Sequence, residues 1–258
     1  MNRMTAASTH EVIAFLDQLL EPERFDDYGP IGLQVPGGPD VATVVTGVSA
    51  HVELFERAAD AGADLVLVHH GLFWRGMPMQ VTPSLHRRLV PLFAHGMALA
   101  AYHLPLDGHP EHGNNALLAE GLGCISTEPF AEHHGVAIGV AGSFGGDGIT
   151  VDELIARVSG LTEREPLVLR EGPERIRRIG IVSGAGADYV ADAVERGFDA
   201  FLTGEPAERV AAVAREERIH FIAAGHHATE TFGVRRLGEL IAQKHAIVHN
   251  FIDIPNPI

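Results

Sequence analysis

The sequence is poor in cysteine, in basic residues and in long apolar runs. Cys124 is the only cysteine among 258 residues, which excludes an intrachain disulfide and a zinc site built from cysteines. Lys and Arg number 19 against 34 Asp and Glu, and the resulting net charge of −15 disfavours a nucleic-acid partner. No apolar run approaches the roughly 18 residues that a membrane span requires, and Glu11 and Asp17 interrupt any secretory signal. We therefore expect a cytoplasmic protein without a membrane partner.

Histidine, by contrast, is abundant. The chain has 16 histidines, and 46% of its residues are hydrophobic, which is enough for a large globular core. Neutral imidazole is the commonest protein ligand for transition metals. The composition therefore favours metal binding, although any single histidine is more often a surface residue.

The first half of the chain predicts helices alternating with strands. Ser8 and Glu11 have the spacing of a capping box at the start of an amphipathic helix that reaches Leu20. The following apolar and periodic segments predict strands at 41–49, 65–68 and 97–102, and helices at 51–61 and 85–93. This order is typical of parallel strands connected by helices.

The second half repeats this plan at an offset of 135 residues, which places Gly62 on Gly197 and Asp64 on Asp199. Its predicted strands are 179–183, 200–203, 220–224 and 246–252, its helices are 188–195, 207–217 and 230–243, and 136–140 and 149–150 are predicted as a short pair of strands. We therefore predict one α/β domain of two similar lobes, at about 1–125 and 126–258, with sheets flanked by helices.

Ligand-type side chains follow the predicted strands. His69 and His70 follow one apolar run, Asp107 follows another, and His226 and Glu230 follow a third with the i,i+4 spacing of one helix face. Ligands in such sheets bind beyond the carboxyl ends of strands, so a metal site is expected there, between the lobes. Three imidazoles and two carboxylates suit Zn, Mn or Fe. His103 is either a ligand, a residue that supports one, or a core histidine bonded to a carbonyl.

Two other motifs favour structural interpretations. His133-His134-Gly135 has the same letters as His69-His70-Gly71, but it precedes an apolar run instead of following one, which predicts a surface turn. The glycine-rich segment 183–186 could present N–H groups to an anion, yet a plain turn between strand and helix is favoured.

The chain resembles the Nif-three-like family of dinuclear-metal proteins, often labelled GTP cyclohydrolase I type II homologues, in its short bacterial form. The shared motifs are GLQV, ADLVLVHHG, LPLD, TGE, AGHHATE and FIDIPNP, in this order along nearly the whole chain. The resemblance implies two divalent ions per chain: His70 and Asp107 bind one, His69 and His226 bind the other, and Glu230 bridges both. It also implies a toroidal homohexamer. Ile31 departs from the family at a position where Asn is common.

The resemblance implies a hydrolase in which metal-activated water attacks the ring of a purine nucleotide, so the expected partner is a small-molecule substrate. Glu205 and His103 are candidate catalytic groups that carry protons or support the ligands. The alternatives are a metal-dependent phosphoester or peptide hydrolase and a non-catalytic metal-binding assembly or adaptor protein.

Overall fold

A computed structural model describes residues 6–258, and it is a mixed α/β structure. The strands are β1 (Ala7–Ser8), β2 (Gly32–Val35), β3 (Asp40–Val41), β4 (Thr43–Ser49), β5 (Leu65–His70), β6 (Ala98–Ala101), β7 (Ser126–His133), β8 (Val136–Ser143), β9 (Ile149–Thr150), β10 (Leu167–Leu169), β11 (Arg175–Ile176), β12 (Arg178–Val182), β13 (Ala200–Thr203), β14 (His220–Ala223) and β15 (Val248–Phe251). The helices are α1 (Thr9–Leu20), α2 (Val52–Asp60), α3 (Pro83–His95), α4 (Leu104–Gly108), α5 (Asn114–Gly121), α6 (Val151–Thr162), α7 (Val190–Glu195), α8 (Val210–Glu217), α9 (His226–Thr229) and α10 (Thr231–His245).

The first of two compact units comprises the described residues up to Leu106 together with Gly233–Pro255. Its main sheet has the order β15-β4-β5-β6-β2, in which only β2 is antiparallel to its neighbour. Alternate residues of β5 face opposite sides of the sheet: Leu65 and Leu67 pack with α1 and α10, and Val66 and Val68 pack with α2 and α3. Helices thus cover both faces, which is why β5 is a continuous apolar run.

The second unit comprises Asp107–Phe232 and Asn256–Ile258. Its main sheet has the order β10-β14-β13-β12-β8-β7, and β12, β13 and β14 are parallel. One face packs Ile181, Leu202 and Ile222 against α5 and α6, while Phe130 and Phe201 pair with other aromatic rings. Mixed α/β structure with sheets flanked by helices is therefore confirmed for both units.

The proposed repeat positions have the same local structure. Gly62 and Gly197 end their helical segments with φ of +69 and +66, a conformation that favours glycine. The carboxylate Oδ2 of Asp64 accepts hydrogen bonds from two successive backbone N–H groups beside the start of β4, and Asp199 Oδ2 does the same at the start of β12. These shared contacts support the predicted duplication.

One prediction of strand pairing is wrong. Segments 136–140 and 149–150 are strands as expected, but β8 pairs with β7 and β12, whereas β9 pairs with β11. The prediction that they form one pair is wrong, because β7, which has no clear apolar alternation, was not recognised. The expected surface turn at His133-His134-Gly135 is confirmed. It connects β7 and β8, and His134 and Gly135 both have positive φ, as in a type I′ hairpin.

No helix within residues 6–258 is both long enough and apolar enough to cross a membrane.

Candidate metal centre

The first unit places His69 and His70 at the end of β5, which runs through both residues instead of stopping at Val68. The two ring centroids are 4.7 Å apart. His69 is buried, and its Nδ1 lies 3.0 Å from the backbone carbonyl of Tyr102. Because a carbonyl can only accept, Nδ1 carries the proton and Nε2 is the ring atom able to bind a metal ion.

His103 joins this pair from the segment after β6. Its Nδ1 donates to Asp27 Oδ1 over 2.7 Å, and the other Asp27 oxygen accepts the N–H of Leu104. The ring centroid lies 4.9 Å from that of His69 and 5.5 Å from that of His70. One ligand atom from each of the three histidines falls within 4.8 Å of the others. The first unit thus contains a compact cluster of three imidazoles.

The second unit places Asp107 in the short helix α4, where the carboxylate is buried. Oδ1 accepts a hydrogen bond of 2.8 Å from Asn114 Nδ2 and one of 3.0 Å from Ser183 Oγ. Asn115 supports the same region, because its side-chain oxygen accepts the Ser183 N–H and its amide donates to the backbone carbonyl of Ile138. Uncharged side chains therefore fix the orientation of this carboxylate.

His226 and Glu230 lie together in the same unit, although they do not share the first turn of one long helix. His226 begins the short helix α9, and Glu230 lies between α9 and α10 with a φ of −114. His226 Nε2 is 3.2 Å from Glu230 Oε2, and His226 Nδ1 donates to Glu205 Oε1 over 2.5 Å. The ligand atoms of Glu230 and Asp107 are within 4.8 Å of one another.

The charges around His226 determine its protonation. Burial disfavours the charged imidazolium, but the hydrogen bonds and charges of Glu230 and Glu205 outweigh burial and raise the pKa of His226 to about 9. The metal-free ring therefore holds a proton at neutral pH, and a metal ion at Nε2 would replace that proton.

Gly184 makes room for the carboxylate. It has a φ of +62, and a β-carbon at this position would lie 2.2 Å from Glu230 Oε1 and 3.1 Å from His226 Nε2. A larger residue would displace the Glu230 side chain.

The donor set of each cluster fits a divalent cation. Asp107 and Glu230 are 6% and 2% exposed, and two neighbouring buried carboxylates repel each other unless a positive charge lies between them. Imidazoles held through Nδ1 by oxygen acceptors are typical metal ligands. Groups able to hold a metal ion are therefore present.

Some contributing residues were not recognised in the sequence. Asp27, Asn114, Asn115 and Ser183 orient other groups through hydrogen bonds, and no motif or periodicity marks such residues. Within segment 183–186, the N–H groups of Gly184 and Gly186 donate to the hydroxyls of Thr229 and Thr203. These internal bonds favour a plain structural turn over an anion site.

The fold and the clusters define an α/β protein whose clustered histidines and carboxylates could hold a metal ion. A family model described as Duf34/NIF3 (NGG1p interacting factor 3) matches residues 7–257. The chain belongs to this family, which confirms the resemblance found in the motifs.

Individual relatives agree with this assignment. Proteins from Pseudomonas aeruginosa and Vibrio cholerae, each named GTP cyclohydrolase 1 type 2 homolog, are 44% and 42% identical to this chain. The matches cover 93% and 95% of this chain and 95% and 97% of the relatives. A solved structure described as protein ybgI, unknown function, is 38% identical with a TM-score of 0.92, covering 98% of this chain and 100% of that one.

Proposed function

We propose that this protein is a metal-dependent hydrolase that binds two divalent ions, Zn, Mn or Fe, through His69, His70, Asp107, His226 and Glu230. The observation that carries the proposal is the way the ligands are held. Nδ1 of His69 and of His226 donates to an oxygen acceptor, and the nearby carboxylates of Asp107 and Glu230 are buried. Histidines held in this way present Nε2 to a metal.

The ions would supply Lewis acidity and a nucleophile at neutral pH. The residues of the chain orient the groups and move protons. His103 is the candidate proton carrier of the first unit, because the hydrogen bond between its Nδ1 and Asp27 fixes the orientation of the ring. Glu205 orients His226, and a proton-carrying role for Glu205 stays a prediction.

For the substrate, we propose a purine nucleotide whose imidazole ring is opened by water, with release of formate. The support is the name GTP cyclohydrolase 1 type 2 homolog carried by relatives more than 40% identical to this chain. The homohexamer implied by the family motifs stays a prediction, and light scattering of the purified protein would measure it.

The test combines metal analysis with activity. Elemental analysis of the freshly purified protein should find about two metal ions per chain, and His70→Ala and Glu230→Gln should each contain fewer. The loaded protein should release formate from GTP. His133→Ala and His134→Ala are matched controls, because they alter the second His-His-Gly motif, which lies in a hairpin turn.

Each other outcome contradicts a defined part of the proposal. Freshly purified native protein with fewer than about two metal ions per chain would contradict the dinuclear centre. Turnover of phosphoesters or peptides in place of GTP would replace the substrate. A metal-loaded protein that turns over none of these, but whose assembly follows metal content, would identify an adaptor.

A further inference from the structure

The second unit contains a cavity of about 420 Å³ at the carboxyl ends of its parallel strands. Glu205 and Gly204 follow β13 at one side, and Gly225 follows β14. The other walls are the segment 164–167 after α6 and the residues Pro257 and Ile258. The carboxyl ends of parallel strands are where α/β proteins bind ligands, and this volume suits a small molecule.

The cavity is lined by apolar side chains and by three charged ones, the cation Arg164 and the carboxylates Glu165 and Glu205. Leu167, Pro206, Ala223 and Pro257 supply apolar surface. Arg164 is partly buried, and among the described residues it forms no ion pair with a carboxylate. Its Nη1 donates a hydrogen bond to the backbone carbonyl of Pro257, over 3.0 Å. Guanidinium N–H groups not used in this bond remain suited to an oxyanion.

The guanidinium is held close to the proposed metal ligands. A β-carbon on Gly225 would lie 2.2 Å from Arg164 Nη1, so the arginine lies directly against the residue that precedes His226. Glu205, in the same wall, is engaged by the His226 ring. An anion bound at Arg164 would place the rest of its molecule beside His226.

We propose that this cavity binds the oxyanion group, a phosphate or a carboxylate, of the small-molecule substrate, and that Arg164 is the residue that binds it. Arginine pairs with both groups through two parallel hydrogen bonds. In naming the ligand as the substrate, the inference rests on the function proposed above. The cavity and its arginine are independent of that function.

The experiment titrates the purified full-length protein with phenylphosphonate, benzoate and neutral benzamide by calorimetry. The native protein should bind at least one of the two anions, and benzamide at least ten-fold more weakly. Arg164→Gln should weaken anion binding at least ten-fold. Arg170→Gln is the matched control, because it removes the same charge from an exposed arginine paired with Asp152, and it should bind within two-fold of the native protein.

Two further variants separate binding from folding. Arg164→Lys keeps the positive charge and should retain more affinity than Arg164→Gln. Leu167→Trp should weaken binding, because the larger side chain fills part of the cavity. It should not disturb the core, because Leu167 is 48% exposed. Circular dichroism would check that each variant is folded.

The anion that binds better identifies the group as phosphate or carboxylate. Absence of binding by both anions, or equal affinity of Arg164→Gln and native protein, would overturn the inference. Metal analysis of the same samples keeps the two proposals distinct: a protein without metal that still loses anion binding on Arg164→Gln contradicts only the dinuclear centre. Loss of binding in Glu230→Gln but not in Arg164→Gln would place the anion on the metal and overturn the cavity.

Discussion

The Ser183 side chain orients the carboxylate of Asp107, a proposed metal ligand. Its hydroxyl and the amide of Asn114 both donate to the same oxygen of Asp107. Two donors on one oxygen fix the plane of the carboxylate, and such supporting bonds raise the affinity of a ligand for its metal.

We therefore expect Ser183→Ala to lower metal affinity by about 10- to 100-fold, because the Asp107 carboxylate loses one of its orienting bonds. Competition with a chelator of known affinity would measure the change. Ser159→Ala, on α6, should leave the affinity unaltered. Equal affinities for Ser183→Ala and native protein would mean that Asp107 is not a ligand.

Trp74 provides an optical test of His70, since it is the only tryptophan in the chain. Its indole N–H donates to the Gly71 carbonyl over 3.1 Å, and the ring centroid lies 6.0 Å from that of His70. Paramagnetic Co²⁺ bound at His70 should quench the fluorescence of chelator-treated protein, whereas diamagnetic Zn²⁺ should quench it far less.

The quenching should be reduced in His70→Ala and retained in His133→Ala. Co²⁺ uptake, measured by elemental analysis, without a change in emission would show that the ion binds away from His70.

Among individual residues, the sequence predicted the candidate metal ligands better than the residues that orient them. His69, His70 and His226 stand out because strand ends concentrate ligand-type residues in space. Asp27 and Asn115 do not stand out, because a single sequence cannot show which buried polar residue reaches which partner.

At the scale of the elements, glycines at the ends of strands and helices have different tasks. Gly197 and Gly184 have φ of +66 and +62, but a β-carbon on Gly197 would meet nothing within 4 Å. On Gly184 it would collide with Glu230. The same substitution at the two sites therefore separates backbone strain from the effect on the carboxylate.

Gly197→Ala should cost about 1 kcal/mol of unfolding free energy from the positive φ alone and should keep its metal. Gly184→Ala should cost more than this and should also lose metal, because the Glu230 side chain must move. Urea denaturation and elemental analysis would measure the two effects. Full metal content in Gly184→Ala would remove Glu230 from the ligand set.

Elements with strong local signals were predicted well. The helix over 9–20 begins at the expected Ser8 capping box, and the five central parallel strands after β4 lie close to their predicted bounds. Elements shaped by their neighbours were not: β7 and β10 are antiparallel strands at sheet edges. β7 has little apolar pattern, and β10 is apolar but only three residues long. α9 ends at Thr229 and α10 begins at Thr231, although neither Gly nor Pro stands at this break.

At the scale of the molecule, one buried phenol links stability to pH. Burial, aided by the hydrogen bond that Tyr102 donates to Asp17 over 2.6 Å, raises the pKa of Tyr102 well above its usual value of 10. Because the folded state holds this proton more tightly than the unfolded state, the stabilisation is complete below pH 10 and is lost as pH rises above it.

We expect the unfolding free energy to fall above pH 10 with a contribution approaching 1.4 kcal/mol per pH unit from this group. Tyr102→Phe should be about 1–3 kcal/mol less stable at pH 8, but its stability should decline less steeply above pH 10. Urea denaturation between pH 8 and pH 11 would measure both curves. Parallel curves for the two proteins would exclude Tyr102 as the source.

The fold class could be predicted for the molecule as a whole, because alternating strands and helices restrict the architecture strongly. The compact units could not be predicted, since nothing local shows that residues 233–255 belong with residues 6–106. The predicted lobes at about 1–125 and 126–258 concern the duplication and stay a prediction.

The return of the chain to its first unit constrains synthesis. Strand β15 pairs with β4 at the edge of the first sheet, yet it is translated after the whole segment Asp107–Phe232. During synthesis, the edge of β4 that pairs with β15 therefore stays unpaired while the second unit is translated. A fragment that stops at residue 232 would therefore have an open sheet edge prone to aggregation, whereas a chain that includes β15 covers this edge of β4.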